Sequence, residues 1–154
     1  MKNIIKTITS FFYLGHSPHM PGTMGSLGGL AVYFMVRRND VLYAYCILFL
    51  FLLGMLFAGE AEKIYKRKDA RMIVIDEAFG MLLALFFVPY SLYMAIIGFF
   101  IFRIFDILKP WPAKRIEKLA GSLGIMFDDI IAAMYTNFLL QIIFRFVICY
   151  VCPR

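Results

Sequence analysis

The feature that most restricts the fold of this chain is a long run of residues without a charged side chain. Residues 41–59 contain no Asp, Glu, Lys or Arg. About 20 helical residues cross a hydrocarbon core of about 30 Å, so this run predicts a membrane-spanning helix. Apolar residues make up 62% of the chain, against roughly 45–50% in an ordinary soluble domain. The sequence therefore predicts an all-α, polytopic membrane helical bundle.

Further apolar stretches predict four more spans arranged as hairpins. Residues 23–36 and 130–147 each predict one span, whereas residues 72–102 are longer and contain Pro89. Basic clusters lie on both sides of residues 72–102, and basic residues favour the cytoplasmic face. We therefore expect two short helices that turn at Pro89, which gives about five spans. The alternative is one long helix that is kinked at Pro89.

The remaining features indicate a single domain over residues 1–154, because no repeat or low-complexity linker divides the chain. Residues 1–15 combine two lysines with a short apolar stretch and have no small-x-small cleavage site. An amphipathic interfacial helix with its N-terminus in the cytoplasm is expected there. The cysteines show no metal-ligand spacing and are predicted to be packing residues. They are Cys46, Cys149 and Cys152.

Acidic side chains are predicted to return to one bilayer face, although apolar hairpins separate them in sequence. They are Asp69, Asp76, Glu77, Asp106, Asp128 and Asp129. Clustered carboxylates repel one another and are costly to desolvate, and a hard cation such as Mg²⁺ removes both penalties. Neighbouring helical residues point about 100° apart, so one acid of each adjacent pair is expected to face the site. The alternative is that these acids are solvated helix ends, with Asp128 and Asp129 favoured by a helix dipole.

A glycine-rich loop at residues 15–26 could bind phosphate near these acids. Thr23 is predicted to be the N-cap of the first span, where free backbone N–H groups attract phosphate. Ser26 adds a hydroxyl one turn later, and His16 and His19 could contact phosphate or protonate a leaving group. Taken alone, this stretch is more typical of an ordinary capped helix.

A second candidate phosphate site is a stripe of alternating charge. Arg103, Asp106 and Lys109 recur at every third position, so they are expected to share one helical face until Pro110 ends the helix. Asp106 could hold a metal while the two cations hold phosphate. The alternative is a basic interfacial helix with an internal ion pair.

Four motifs in this chain occur in a fixed order. They are PGTxGS at residues 21–26, IVIDExxG at 73–80, FRxFDxxKPxP at 102–112 and GxMxDD at 124–129. Together they closely resemble the phosphatidylglycerophosphatase A family over residues 15–133. The resemblance implies a magnesium-dependent phosphatase of the bacterial inner membrane that converts phosphatidylglycerophosphate to phosphatidylglycerol and inorganic phosphate. His19 stands where this family usually has a basic residue, so phosphate binding there is expected to be weaker or pH-dependent.

These observations lead to one mechanistic hypothesis. Mg²⁺ held by Asp76, Asp106 and Asp128 or Asp129 would bind the terminal phosphate and activate a water molecule. Glu77 or Asp129 would orient or deprotonate that water. The phosphate oxygens would be held by Arg103, Lys109 and the helix start at Thr23, with Ser26 and His19 nearby. The nucleophile motifs Cys-x₅-Arg and Asp-x-Asp are absent from the sequence.

Two other classes of protein remain open. One is a small ion or proton transporter, although transporters place ionisable groups near the bilayer midplane and the predicted spans here carry almost none. The other is a non-catalytic membrane scaffold. Membrane lipids are the expected partners, and the active site is expected to face the cytoplasm. Nucleic acid is not an expected partner because no basic stripe lies outside the apolar segments. The sequence leaves the oligomeric state open.

Overall fold

The computed structural model describes residues 2–68 and 70–151, and the regular secondary structure of this part is helical. Side chains are described as far as residue 146, so the expectations for Asp69, Cys149 and Cys152 lie outside the described side chains. This part of the chain contains seven α-helices and no β-strand. The helices are α1 (Lys2–Thr9), α2 (Pro21–Val36), α3 (Asp40–Tyr65), α4 (Ile75–Leu85), α5 (Leu92–Leu108), α6 (Ala113–Ile116) and α7 (Ser122–Val151).

Each of the five apolar segments predicted from the sequence contains a helix. α4 ends at Leu85 and α5 begins at Leu92, so Pro89 lies in a turn and the alternative of one kinked helix is wrong. α7 begins at Ser122 rather than near residue 130, because the apolar residues before the two aspartates continue the helix. Asp128 and Asp129 therefore lie inside α7, beyond the first turn in which a helix dipole favours an acid.

Two helices are long and apolar enough to cross a bilayer, namely α3 and residues Ser122–Phe146 of α7. Large apolar side chains on α3, α5 and α7 point away from the protein. Examples are Tyr45, Phe49, Leu56, Tyr93, Phe100, Ile107, Met134 and Phe138. Extended apolar surfaces of this kind are typical of contact with lipid or with another protein. Together with the two candidate spans, they indicate a membrane protein.

α4 is the central helix of the bundle, and nine of its 11 residues are buried. At 1.5 Å per residue it is about 16 Å long, about half the thickness of a hydrocarbon core. α2 approaches α4 closely because glycines lie between them. A Cβ added at Gly25 would lie 2.7 Å from the Cβ of Val74, and one at Gly29 would overlap the backbone of Ala78. This contact places the start of α2 beside the first turn of α4.

The C-terminal end of α4 is inside the bundle, where its last carbonyl groups need partners. The hydroxyl of Tyr43, from α3, donates to the carbonyl of Leu82 at 2.6 Å. The side-chain amide of Asn137, from α7, donates to the carbonyls of Ala84 at 3.0 Å and Phe86 at 2.6 Å. Gln141 donates to the Asn137 side-chain oxygen at 2.8 Å. Neighbouring helices therefore cap α4 and allow a helix to end at this depth.

Replacing Asn137 with Ala should lower the free energy of unfolding by about 1–2 kcal/mol, since two carbonyl groups lose their donor in an apolar environment. The measurement is an unfolding titration in detergent micelles, followed by helical circular dichroism. Gln141→Ala is the matched control, because it removes only the bond to Asn137 and should cost less than about 0.5 kcal/mol. Equal stability of the Asn137 variant and the wild type would contradict this role.

Candidate active site

Three carboxylates meet where α4 crosses α7. Asp76 and Glu77 lie in the first turn of α4, Asp129 lies in α7, and one oxygen from each lies within 4.8 Å of the others. Asp76 is 7% exposed and Asp129 is 2% exposed. The atoms Asp76 Oδ1, Glu77 Oε2 and Asp129 Oδ2 are buried and have no hydrogen-bond partner among the described residues. Buried acids without donors repel one another, so this arrangement suits a bound cation.

Gly80 allows the two helices to come this close. It lies one turn after Asp76 on α4, and a Cβ there would lie 3.3 Å from the Cβ of Asp129. The same Cβ would lie 2.6 Å from the ring of Phe102 on α5. A larger residue at this position would push α4 away from both neighbours and separate the carboxylates.

The expectation that one acid of each adjacent pair faces the site holds for only one pair. Asp129 belongs to the acidic group, whereas the Asp128 carboxylate accepts a hydrogen bond from Lys109 Nζ at 2.6 Å. In the other pair, both Asp76 and Glu77 belong to the group. The carboxylates of neighbouring helical residues can converge because Glu has the longer side chain.

Arg103 and Asp106 form an ion pair beside the acidic group. Arg103 Nη1 donates to Asp106 Oδ2 at 2.6 Å and to the hydroxyl of Ser26 at 3.3 Å. The side chains of Arg103 and Asp106 are 15% and 14% exposed. Asp106 lies near enough to Glu77 and Asp129 for its charge to act on both. The predicted internal ion pair is therefore present, and it borders the acidic group.

Lys109 does not lie on a helical face with Arg103 and Asp106, as the sequence had predicted. α5 ends at Leu108, and Lys109 is the C-cap in a left-handed conformation with φ 46°. Its amino group contacts Asp128 at 2.6 Å and Glu117 at 3.1 Å. Burial alone would lower the pKa of Lys109, but the hydrogen bonds to Asp128 and Glu117 outweigh burial and raise that pKa above its ordinary value. Lys109 is therefore a firmly protonated anchor for Asp128.

The prediction that Thr23 is the N-cap of α2 is wrong. α2 begins at Pro21, with Met20 as its N-cap, because the fixed φ of proline suits the first helical position. Thr23 lies in the first turn instead. His19 is exposed in the preceding loop, and the ring of His16 packs beside Tyr13 and Tyr65.

A cleft of about 400 Å³ opens beside the start of α2 and reaches Glu77. A Cβ added at Gly22 would lie 2.5 Å from Glu77 Oε1 and 3.0 Å from Arg103 Nη2, so the backbone of α2 lies directly against both side chains. Ser26 is fully buried below this point. The cleft is lined by Met20, Pro21, Gly22, Thr23, Arg71, Ile73, Glu77 and Arg103.

Two residues near the site were not predicted from the sequence. Arg71 lines the cleft, and Glu117 shares Lys109 with Asp128. Arg71 belongs to a cluster of basic residues whose members look alike in sequence. Glu117 follows a proline-rich turn, and only the path of that turn brings it to Lys109. Neither residue lies at a sequence spacing from the four motifs that would indicate its position near the site.

The chain matches the family described as phosphatidylglycerophosphatase A over residues 7–144. The chain belongs to this family. The matched region contains the acidic group, the Arg103–Asp106 pair and the whole cleft lining. Membership identifies the protein as a phosphatase, and the three carboxylates fit the divalent metal that such an enzyme can use.

Curated relatives agree with this assignment. A phosphatidylglycerophosphatase A of Escherichia coli is 35% identical over 86% of this chain and 78% of its own length. One of Haemophilus influenzae is 36% identical over 75% of this chain and 73% of its own length. A putative phosphatidylinositol-3-phosphatase of Bacteroides thetaiotaomicron is 35% identical over 89% of this chain and 91% of its own length. No solved structure matches the chain significantly.

Replacing Gly22 with Ala should lower phosphatase kcat/KM at least about tenfold, because the new methyl group displaces Glu77 and Arg103 from their positions. The measurement is phosphate release from phosphatidylglycerophosphate, normalised to folded protein. The control is Gly28→Ala on the same helix, whose Cβ would meet the side chains of Leu14 and Phe11 instead. Activity of the Gly22 variant equal to that of the control would contradict this placement.

Proposed function

We propose that this protein hydrolyses the terminal phosphate of phosphatidylglycerophosphate in a Mg²⁺-dependent reaction that releases phosphatidylglycerol and inorganic phosphate. It acts as a single domain in the bacterial inner membrane, with several spans and its cleft open to the cytoplasm. The observation that carries this proposal is that Glu77 belongs both to the buried acidic group and to the cleft lining. A phosphate in the cleft is therefore adjacent to a site suited to a cation.

The donor set of the acidic group supports Mg²⁺. All three side chains offer carboxylate oxygens, and Mg²⁺ prefers oxygen ligands, few of them from protein, with substrate phosphate and water completing its shell. A bound Mg²⁺ would neutralise phosphate charge and lower the pKa of a bound water molecule. We assign Asp76 and Asp129 as the main metal ligands, since both are almost fully buried and retain an oxygen without a described partner.

The other residues of the site have distinct proposed roles. Glu77 faces the cleft, where it orients the attacking water and accepts its proton. Arg103 and the N–H groups of the first turn of α2, around Gly22 and Thr23, bind the phosphate oxygens. Asp106 orients Arg103 through their 2.6 Å contact, a role we prefer to its predicted metal ligation.

Two further assignments differ from the sequence-based hypothesis. Lys109 acts through Asp128, whose backbone neighbour is the metal ligand Asp129, and so fixes α7 in position instead of binding phosphate. His19 is exposed and lies outside the cleft lining. We therefore leave it without a catalytic role, while Ser26 supports Arg103 from below.

A second candidate substrate is phosphatidylinositol 3-phosphate. The Bacteroides relative named for that lipid aligns with this chain over a larger share of its own length than the two relatives named for phosphatidylglycerophosphate. Both lipids carry a phosphate monoester on a headgroup alcohol, so the same site chemistry serves either. Parallel assays with the two lipids in identical micelles separate them, and we expect the higher kcat/KM with phosphatidylglycerophosphate.

Asp76→Asn and Asp129→Asn should each reduce kcat at least about 1,000-fold, because each change removes a charged ligand from the proposed metal site. EDTA should abolish wild-type phosphate release, and added Mg²⁺ should restore it. Glu60→Gln is the control, since the one ion pair of Glu60 among the described residues is with exposed Lys63 on the surface of α3. Activity near wild type in either aspartate variant, or full activity in EDTA, would refute the mechanism.

A further inference from the structure

The cleft contains two arginines at different depths. Arg103 is largely buried, pairs with Asp106 and lies against Gly22. Arg71 precedes α4, is exposed and lines the same cleft. It belongs to none of the ion pairs found among the described residues. The mouth of the cleft therefore has an exposed cation.

The proposed substrate also has two phosphates. One is the terminal monoester that is removed, and the other is the phosphodiester that joins the headgroup to diacylglycerol. If the monoester enters first and reaches Glu77 and Arg103, the phosphodiester remains at the mouth, since it is tethered to the acyl chains in the bilayer. Met20, which is 66% exposed, lines the same cleft and offers apolar surface to the lipid.

We infer that Arg71 forms a second subsite, which binds the phosphodiester of the lipid headgroup while the inner part of the cleft binds the monoester. This inference rests on the proposed function and extends it to the substrate class. The enzyme selects lipids that carry both a monoester and a phosphodiester. Guanidinium groups suit this task because they form paired hydrogen bonds with phosphate oxygens.

Two inhibitors each represent one of the two phosphate groups of the substrate. Phosphatidylglycerol has the phosphodiester without the monoester, and inorganic phosphate resembles the monoester alone. The experiment measures the inhibition constant of each against phosphatidylglycerophosphate hydrolysis, in non-ionic detergent micelles at a fixed lipid fraction. The proteins are the wild type, Arg71→Ala and Arg67→Ala. Arg67 is the matched control because it is an exposed arginine of the same basic segment that does not line the cleft.

For Arg71→Ala we expect the inhibition constant of phosphatidylglycerol to rise about tenfold, while that of phosphate changes less than about twofold. The KM for the lipid substrate should rise with little change in kcat, since the lost contact is made equally before and during reaction. Arg71→Lys should recover part of the loss, and Arg67→Ala should leave both constants unchanged.

Three results would overturn the subsite. Phosphatidylglycerol does not inhibit the active wild type, or its inhibition constant rises equally in Arg71→Ala and Arg67→Ala. The third is that Arg71→Ala raises the inhibition constants of phosphatidylglycerol and phosphate to the same extent. Each of these leaves the proposed function intact. A wild-type protein that releases no phosphate from phosphatidylglycerophosphate overturns the proposed function and the subsite together, so the two failures can be told apart.

Discussion

The central feature of the site is a group of three carboxylates that repel one another and that the fold nevertheless holds close together. Asp76, Glu77 and Asp129 bring oxygens within 4.8 Å of one another, and both aspartates are almost fully buried. Like charges at such distances oppose folding, and each buried acid also loses its hydration. Glycines nevertheless allow this close packing. Gly80 lets α4 approach Asp129 on α7, and Gly22 lets the start of α2 lie against Glu77. A divalent cation bound among these three carboxylates would remove their repulsion.

The central helix α4 connects the acidic group to the rest of the molecule. Its first turn contributes two of the three acids, and its last carbonyls accept hydrogen bonds from Tyr43 and Asn137. α2 lies against it through glycines, so the start of α2 borders both the cleft and the acids. A short helix of this kind can end inside the bundle because neighbouring helices supply donors for its last carbonyl groups.

Much of this fold could be predicted from the sequence, because apolar length and basic clusters report on helices directly. The five main helices and the turn at Pro89 followed from that pattern. The start of α7 and the N-cap of α2 did not, since apolar residues before Asp128 extend α7 back to Ser122 and Pro21 takes the first helical position of α2. The acids and the Arg103–Asp106 ion pair were identifiable, but two other features were not: Lys109 contacts Asp128 on another helix, and Arg71 reaches the cleft from a loop. Such contacts depend on three-dimensional packing that spacing does not encode.

Cation-linked stability is the most direct test of the central claim. Unfolding of the wild type and of Asp129→Asn is followed in micelles as Mg²⁺ is titrated from zero. A cation that binds only the folded state adds stability that grows with its concentration. We expect Mg²⁺ to stabilise the wild type and to have little effect on the variant. In EDTA the variant should be at least as stable as the wild type, because one repelling charge is gone. Equal Mg²⁺ dependence in the two proteins, or none in the wild type, would contradict the account.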